Sequence, residues 1–235
     1  MRRLQILLFT FIALSCAPLE AQTCRGLAPL PSGELQASGS AMVAAAMHSL
    51  AAELVYALPS RGFGGVGLGT TLDEGLEKST VDLAASLGYQ LELGRAAPVQ
   101  LCPVVNTTLQ LGPNNAFDSG VKRSTVSAAI GFTAGTSLRL RPMLSLVPAV
   151  AIGVGHRIHQ AESSTGVRLF RIAETYGLAQ IHLGFVVREN ISVRPTLEIP
   201  LWLGGAGPGL GLTVGYHFGK RPAAAGAPDR TAAVP

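Results

Sequence analysis

The sequence predicts an all-β fold: an antiparallel up-and-down barrel that spans a membrane. Three observations carry it: strict two-residue alternation, run length, and an asymmetry between connections. Residues 81–93 read VDLAASLGYQLEL. Val81, Leu83, Ala85, Leu87, Tyr89, Leu91 and Leu93 fall on one face; Asp82, Ala84, Ser86, Gly88, Gln90 and Glu92 fall on the other. That period marks a strand with one greasy and one wet face. Several such runs exceed ten residues, whereas soluble strands average about 5–6 and a tilted strand needs about 9–11 to cross a bilayer. The wet faces carry mostly Gly, Ser, Thr and Gln, and the greasy faces almost no Lys or Glu. A soluble barrel shows the reverse, with large apolar side chains inside. Hydrocarbon therefore lies outside the predicted wall.

Ten runs are read, with eight strands as the alternative count. The first, 36–46, is dominated by Ala and Ser. The second, 49–58, sets Leu50, Leu54, Tyr56 and Leu58 against Ser49, Ala51 and Glu53. FGGVGLGTT at 63–71 is the third, and 81–93 the fourth. In the fifth, 99–111, Leu101, Val105, Leu109 and Leu111 oppose Gln100, Cys102, Asn106 and Gln110. The sixth, 122–138, sets Val126, Ile130 and Phe132 against Arg123, Thr125 and Ser127. The seventh, 143–156, sets Val150, Ile152 and Val154 against Ala149, Gly153 and Gly155. In the eighth, 168–187, Ile181, Leu183 and Phe185 oppose Gln180, His182 and Gly184; its first half is out of phase, which predicts a bulge. The ninth, 191–202, sets Val193, Leu197 and Ile199 against Ser192, Arg194 and Glu198. The tenth is LGLTVGYHF at 210–218.

Connections test this independently. The second, fourth, sixth and eighth are short: 59–62, 94–98, 139–142 and 188–190. Most odd-numbered ones are longer and more polar: LDEGLEKS at 72–79, GPNNAFDSG at 112–120 and RIHQAESSTGV at 157–167. Short turns at one end and long loops at the other are the known membrane-barrel asymmetry.

Composition narrows the classes. Charged residues make up 14% of the chain and net charge is +4. The basic residues are scattered rather than gathered with aromatics, which argues against a nucleic-acid face. Beyond the N-terminus no 18-residue apolar run exists for a transmembrane helix. The start, MRRLQILLFTFIALSCAPLEA, reads as an export signal over 1–21 with cleavage after Ala21; lipoprotein processing at Cys16 is the rival. Cys24 and Cys102 remain, an even count in an exported chain, which predicts a disulfide. Both fall at the same membrane level. A bridge between them would tie segment 22–35 across or against the periplasmic mouth of the barrel.

By its export signal, alternating runs, turn asymmetry and the stretch LGLTVGYHF, the chain resembles the small outer-membrane β-barrel proteins of bacteria with two membranes. The resemblance covers about 36–218. It implies an outer-membrane location in contact with lipid, and insertion by the barrel-assembly machinery. It also implies a terminal strand that ends on Phe218. The family usually ends its chain on that Phe; here the Ala- and Pro-rich 219–235 follows and reads as a disordered periplasmic tail.

Function is less legible. Asp82, Glu92, Arg123, His182, Arg194, Glu198 and His217 all fall on the wet face, as does Glu53, and are read as a packed polar lumen. Arg194, Glu92 and His217 are expected to form a neutralised cluster near the periplasmic end. His156 and His159 form an HxxH without further ligands at matching height. Asp73, Asp118 and His156 could be set at the outer rim as in a rim hydrolase, with no motif to support them. The glycines at 65–69 and 204–211 lack a following helix or GK[ST], and the Asn106 and Asn190 sequons have no meaning in a bacterial barrel. The reading is a non-enzymatic barrel without cofactor or metal, with a structural or surface-interaction role and no identified protein partner. Its alternatives are a small passive pore and a soluble secreted ligand-binding barrel.

Overall fold

The computed structural model describes residues 24–27, 30–44, 47–59, 61–73, 78–91, 99–112, 121–163, 165–202 and 207–219. Among them the regular structure is entirely strand. In chain order these are β1 (Leu35–Ala44), β2 (Met47–Ala57), β3 (Gly62–Asp73), β4 (Lys78–Tyr89), β5 (Gln100–Leu111), β6 (Lys122–Gly135), β7 (Leu138–Arg141), β8 (Leu144–Glu162), β9 (Arg168–Val187), β10 (Ile191–Pro200) and β11 (Gly209–Phe218). Consecutive strands pair antiparallel except β6 and β7; β6 pairs instead with β8, past the short β7, and β1 pairs with β11. The result is a closed antiparallel barrel of ten strands, with β7 as a spur that extends the β6 side of the β8 ladder downwards. Closure leaves the barrel wall itself without a free edge, the condition for a sheet in hydrocarbon.

The closing seam is regular. Leu35 lies opposite Phe218 and Ala44 opposite Gly209, with every residue between them paired. The end that holds Leu35 and Phe218 is called the lower end below. Two of its connections are tight, as the sequence predicts: Leu58 N donates to Gly62 O at 2.8 Å, and residues 188–190 turn β9 into β10; the expected turn at 139–142 is instead largely the strand β7, and 94–98 lie outside the described residues. That last turn places two non-glycine residues in the left-handed region, Arg188 at φ 53° and Glu189 at φ 64°. Left-handed backbone strains a residue with a Cβ, and Asn tolerates it best among them. Glu189→Asn is therefore expected to raise stability by about 0.5–1 kcal/mol, read as a higher urea midpoint for unfolding from vesicles.

The two faces of the wall are inverted relative to a soluble protein. Leu210 is 67% exposed, Leu87 63%, Val66 62% and Leu50 61%, while inward-facing Ser192 is 0% and Gln36 2% exposed. An exterior this apolar is stable only in a solvent as apolar as itself. Tyr56, Tyr89, Tyr216 and Phe218 all face outward at the lower end, with Tyr216 and Phe218 edge to face at 4.8 Å. They form one aromatic girdle, the level at which amphipathic rings meet the polar boundary of a bilayer.

Two further sequence expectations need correction, and a third is met. The fourth run is shorter than 81–93 at its described end: β4 stops at Tyr89, Leu91 makes only an isolated bridge to Leu101, and 92–93 lie outside the described residues. Residues 157–162 are not loop, because β8 continues to Glu162 and Ser163 N closes on Val167 O at 2.8 Å. The bulge expected in the first half of β9 is present at its very tip: Glu162 faces Arg168 and Ala161 faces Phe170, which leaves Leu169 as the extra residue. Arg171 through Val187 stay in unbroken register with β8. For β8 and β9 the physical reason is shared: at 19 and 20 residues they rise past the apolar belt. Above it neither face needs to be greasy, so alternation ceases to report the strand.

Candidate functional site: a lumen closed from within

The inner face is lined by small residues. On β3 these are Gly65, Gly67 and Gly69, on β8 Ala149, Ala151, Gly153 and Gly155. They leave room, and two occupants fill part of it. One is side chains: Phe63 lies over Gly88, and Tyr176 over Gly155. The other is the chain's own N-terminal segment.

Cys24, Gly26, Leu27 and Leu30 are buried inside the lower end of the barrel. Four independent contacts hold this segment. A disulfide joins Cys24 to Cys102 on β5. The Arg25 guanidinium pairs with Glu53 on β2, which also accepts from Ser86 Oγ at 3.3 Å. Arg194 on β10 donates to the Arg25 carbonyl and, at 3.1 Å, to Thr213 Oγ1. Leu30 joins Cys24, Val55, Ala57, Phe63 and Cys102 in an apolar cluster. Gly33 N then donates to Ala57 O at 2.8 Å, and the chain enters β1. Glycine is required where the segment touches the far wall. Gly26 has φ +64°, a Cβ there would sit 2.9 Å from the His182 Cβ, and one on Gly184 would collide with the Gly26 carbonyl.

Above the segment lies a cavity of about 290 Å³, lined in part by Arg25, Glu53, Asn106, Gln180, His182 and Arg194. The barrel therefore has a floor made from its own N-terminus and a polar cup over it.

The sequence-selected lumen residues are distributed as follows. Asp82 accepts from Thr71 Oγ1 at 2.6 Å and Thr80 Oγ1 at 3.0 Å. His182 Nδ1 and Thr196 Oγ1 share a hydrogen bond of 3.0 Å, and Glu198 accepts from Gln180 Nε2 at 2.8 Å. His217 pairs with Glu34. Arg123 faces inward from β6 with its Nε unpartnered among the described residues. Glu92 and Asp118 lie outside the described residues, as do 1–21 and the tail beyond Gly219. Arg194 and His217 do not meet each other: each is engaged separately, through Arg25 and Glu34 of the segment that precedes β1. Arg25 and Glu34 were not singled out from sequence, because they precede the first alternating run and carry no periodic signal.

A second polar group sits high on the inner side of β8 and β9. Arg157 pairs with Glu174 and lies 5.6 Å from the Tyr176 ring centre; His159 reaches Glu174 at 3.0 Å and Thr125 Oγ1 at 2.9 Å. His156, three residues earlier on the same strand, points to the opposite face and meets Thr175 Oγ1 at 3.1 Å. A two-residue period places positions i and i+3 on opposite sides of a sheet, so this HxxH cannot bind one ion. Among the described residues no group of three His, Cys, Asp or Glu side chains is arranged to hold a metal.

No protein-family model matches the chain, and no curated protein matches it. Among solved structures it is similar to the N-terminal β-barrel domain of OprF from Pseudomonas aeruginosa, at 14% identity and TM-score 0.39, over 80% of this chain and 98% of that one. It is also similar to an outer membrane channel from Pseudomonas putida F1, at 14% identity and TM-score 0.39, over 80% and 97%. The translocator domain of the autotransporter NalP from Neisseria meningitidis follows at 10% identity and TM-score 0.38, over 79% and 87%.

Proposed function

We propose that this chain is an outer-membrane β-barrel with a structural or surface-interaction role, closed to solute flow and without catalytic duty. The observation that carries the reading is the lumen segment: residues 24–27 and 30–34 occupy the lower mouth, fixed to the wall covalently through Cys24–Cys102. A disulfide favours an oxidising compartment, and the apolar exterior favours lipid over water. Together with the export signal at 1–21, these support the outer membrane, the lower end in the periplasm, and the loops outside. Lipid is then the constant partner, and Phe218, last in β11 and facing outward, is suited to recognition by the barrel-assembly machinery.

The pore reading would need the segment displaced, and the soluble ligand-binding barrel would need the apolar belt in water. The test uses the full-length protein expressed in a two-membrane bacterium. We expect it in the outer-membrane fraction, with faster gel mobility unboiled than boiled, and no steps above baseline in planar bilayers. Steady conductance by the intact protein would overturn the closed-barrel reading; recovery as a soluble periplasmic protein would overturn the membrane reading.

A further inference from the structure

We infer that the upper half of β9 is a docking edge, where an extended acidic segment of another protein adds to the sheet as one more strand. The inference rests on the surface reading above and supplies its partner class. β9 is paired on one side along its whole length, from Arg168 to Val187, by β8. On the other side its partner stops early: β10 pairs no higher than Pro200 with Leu178, and Leu201 N then donates to Gly177 O at 2.9 Å. Trp202 closes the ladder by lying over Gly177. Above that level residues 168–176 have no strand partner on the β10 side among the described residues.

Because Gly177 turns its carbonyl toward β10, the two-residue period turns the backbone groups of Thr175, Ala173 and Arg171 the same way. This is an open row of donors and acceptors about 30 Å long at ~3.3 Å per residue. It stands clear of the apolar belt. The large outward residues of β9 are Ile181, Leu183, Phe185 and Val187, and none appears among Gly177, Thr175, Ala173 and Arg171. Natural sheets blunt such edges with bulges, prolines or short strands; here the bulge is confined to Leu169 at the tip, Arg171 to Thr175 run in unbroken register with β8, and Arg157 and His159 hold Glu174 on the inner side. Apolar side chains flank it uncovered: Val167 is 61% exposed, Leu169 53% and Ile172 57%.

Charge selects the occupant. Arg168 and Arg171 are exposed and make no ion pair among the described residues, whereas the one carboxylate of this stretch, Glu174, is already engaged by Arg157 and His159. A second copy of the same edge would bring two more arginines and no free carboxylate of its own. An incoming strand with alternating acidic and β-branched residues would meet the arginines with carboxylates and Leu169 and Ile172 with apolar area. This is strand addition, with backbone bonds giving affinity and side chains giving specificity.

The probe is a ten-residue peptide alternating Glu with Val or Thr, against the same peptide with Lys for Glu, titrated onto the protein in lipid nanodiscs. The acidic peptide should bind and slow amide exchange at Arg171, Ala173 and Thr175, and the basic one should bind at least tenfold more weakly. Arg168→Glu/Arg171→Glu should invert that preference. Ala173→Pro removes one outward N–H and should abolish binding of the acidic peptide while heat-modifiable mobility is kept. Equal binding of both peptides, or retained binding by a folded Ala173→Pro variant, would overturn the inference. So would concentration-dependent protection of the same amides without peptide, which would assign the edge to a second copy. Absence of surface labelling at residue 165 in intact cells would refute the surface reading alone, since the peptide titration does not depend on orientation.

Discussion

Cys24→Ser/Cys102→Ser is expected to lose about 4–5 kcal/mol of stability in the chain-entropy account of a cross-link, the closed loop having a sequence separation of 78. The measurement is the urea midpoint in vesicles, or the temperature at which the compact gel band converts to the slow one. A second change sharpens the result. With the bond gone, the segment is still held by Arg25 on Glu53 and by the Arg194 contact with its backbone. Adding Arg25→Ala removes the ion pair and is expected to release the segment, so that the triple variant conducts in planar bilayers where the parent is silent. Variants are the right instrument, since both cysteines have 0% exposure in the folded barrel. Unchanged stability in the double variant would mean that the bond constrains nothing; a silent triple variant would mean that the mouth is blocked by something other than this segment.

Leu212→Arg is the second large effect. Leu212 faces outward on β11, half exposed, opposite Ala41 of β1, three residues inside the strand's upper end at Gly209 and six from its lower end at Phe218. A guanidinium in mid-bilayer costs about 2–4 kcal/mol, falling to about 0–1 near the interface. Leu72→Arg, on the outer face near the upper end of β3, is therefore expected to cost far less. Urea unfolding from vesicles compares the two. The depth dependence is the diagnostic, because a site packed against protein would penalise both changes by burial, and a site in water would penalise neither. Equal costs would place something other than hydrocarbon against the wall.

Legibility tracked the solvent around each residue. Where one face meets lipid and the other the lumen, as from Leu50 to Leu58 or Leu210 to Phe218, apolarity must alternate, and run boundaries fall within a few residues of the observed strands. Arg157 and His159 sit where both faces are wet, so their polarity read as loop although they are strand. The same freedom lets Phe170 and Ile172 take the inner parity of β9, which read as a slipped phase. The disulfide was legible from its even count and shared level. The lumen was read as filled by its own lining, yet the lining is mostly small. The filler is Arg25, Gly26, Leu27 and Leu30, which lack any repeat and whose contacts are all made with distant strands. Asp82, His182 and Glu198 were legible as inward-facing, but their hydroxyl and amide partners were not, since cross-strand register decides who meets whom.

The buried Cys24–Cys102 bond also constrains chronology. Once β1 has zipped to β11, no folded oxidoreductase can reach either sulfur. Oxidation must therefore precede closure, while the sheet is still an open ribbon and its first residues lie across the nascent inner surface. The barrel is then wrapped around a segment already tethered to its fifth strand, and a cell that fails to oxidise the pair would close the wall over a plug held by the Arg25 and Arg194 contacts without a covalent bond.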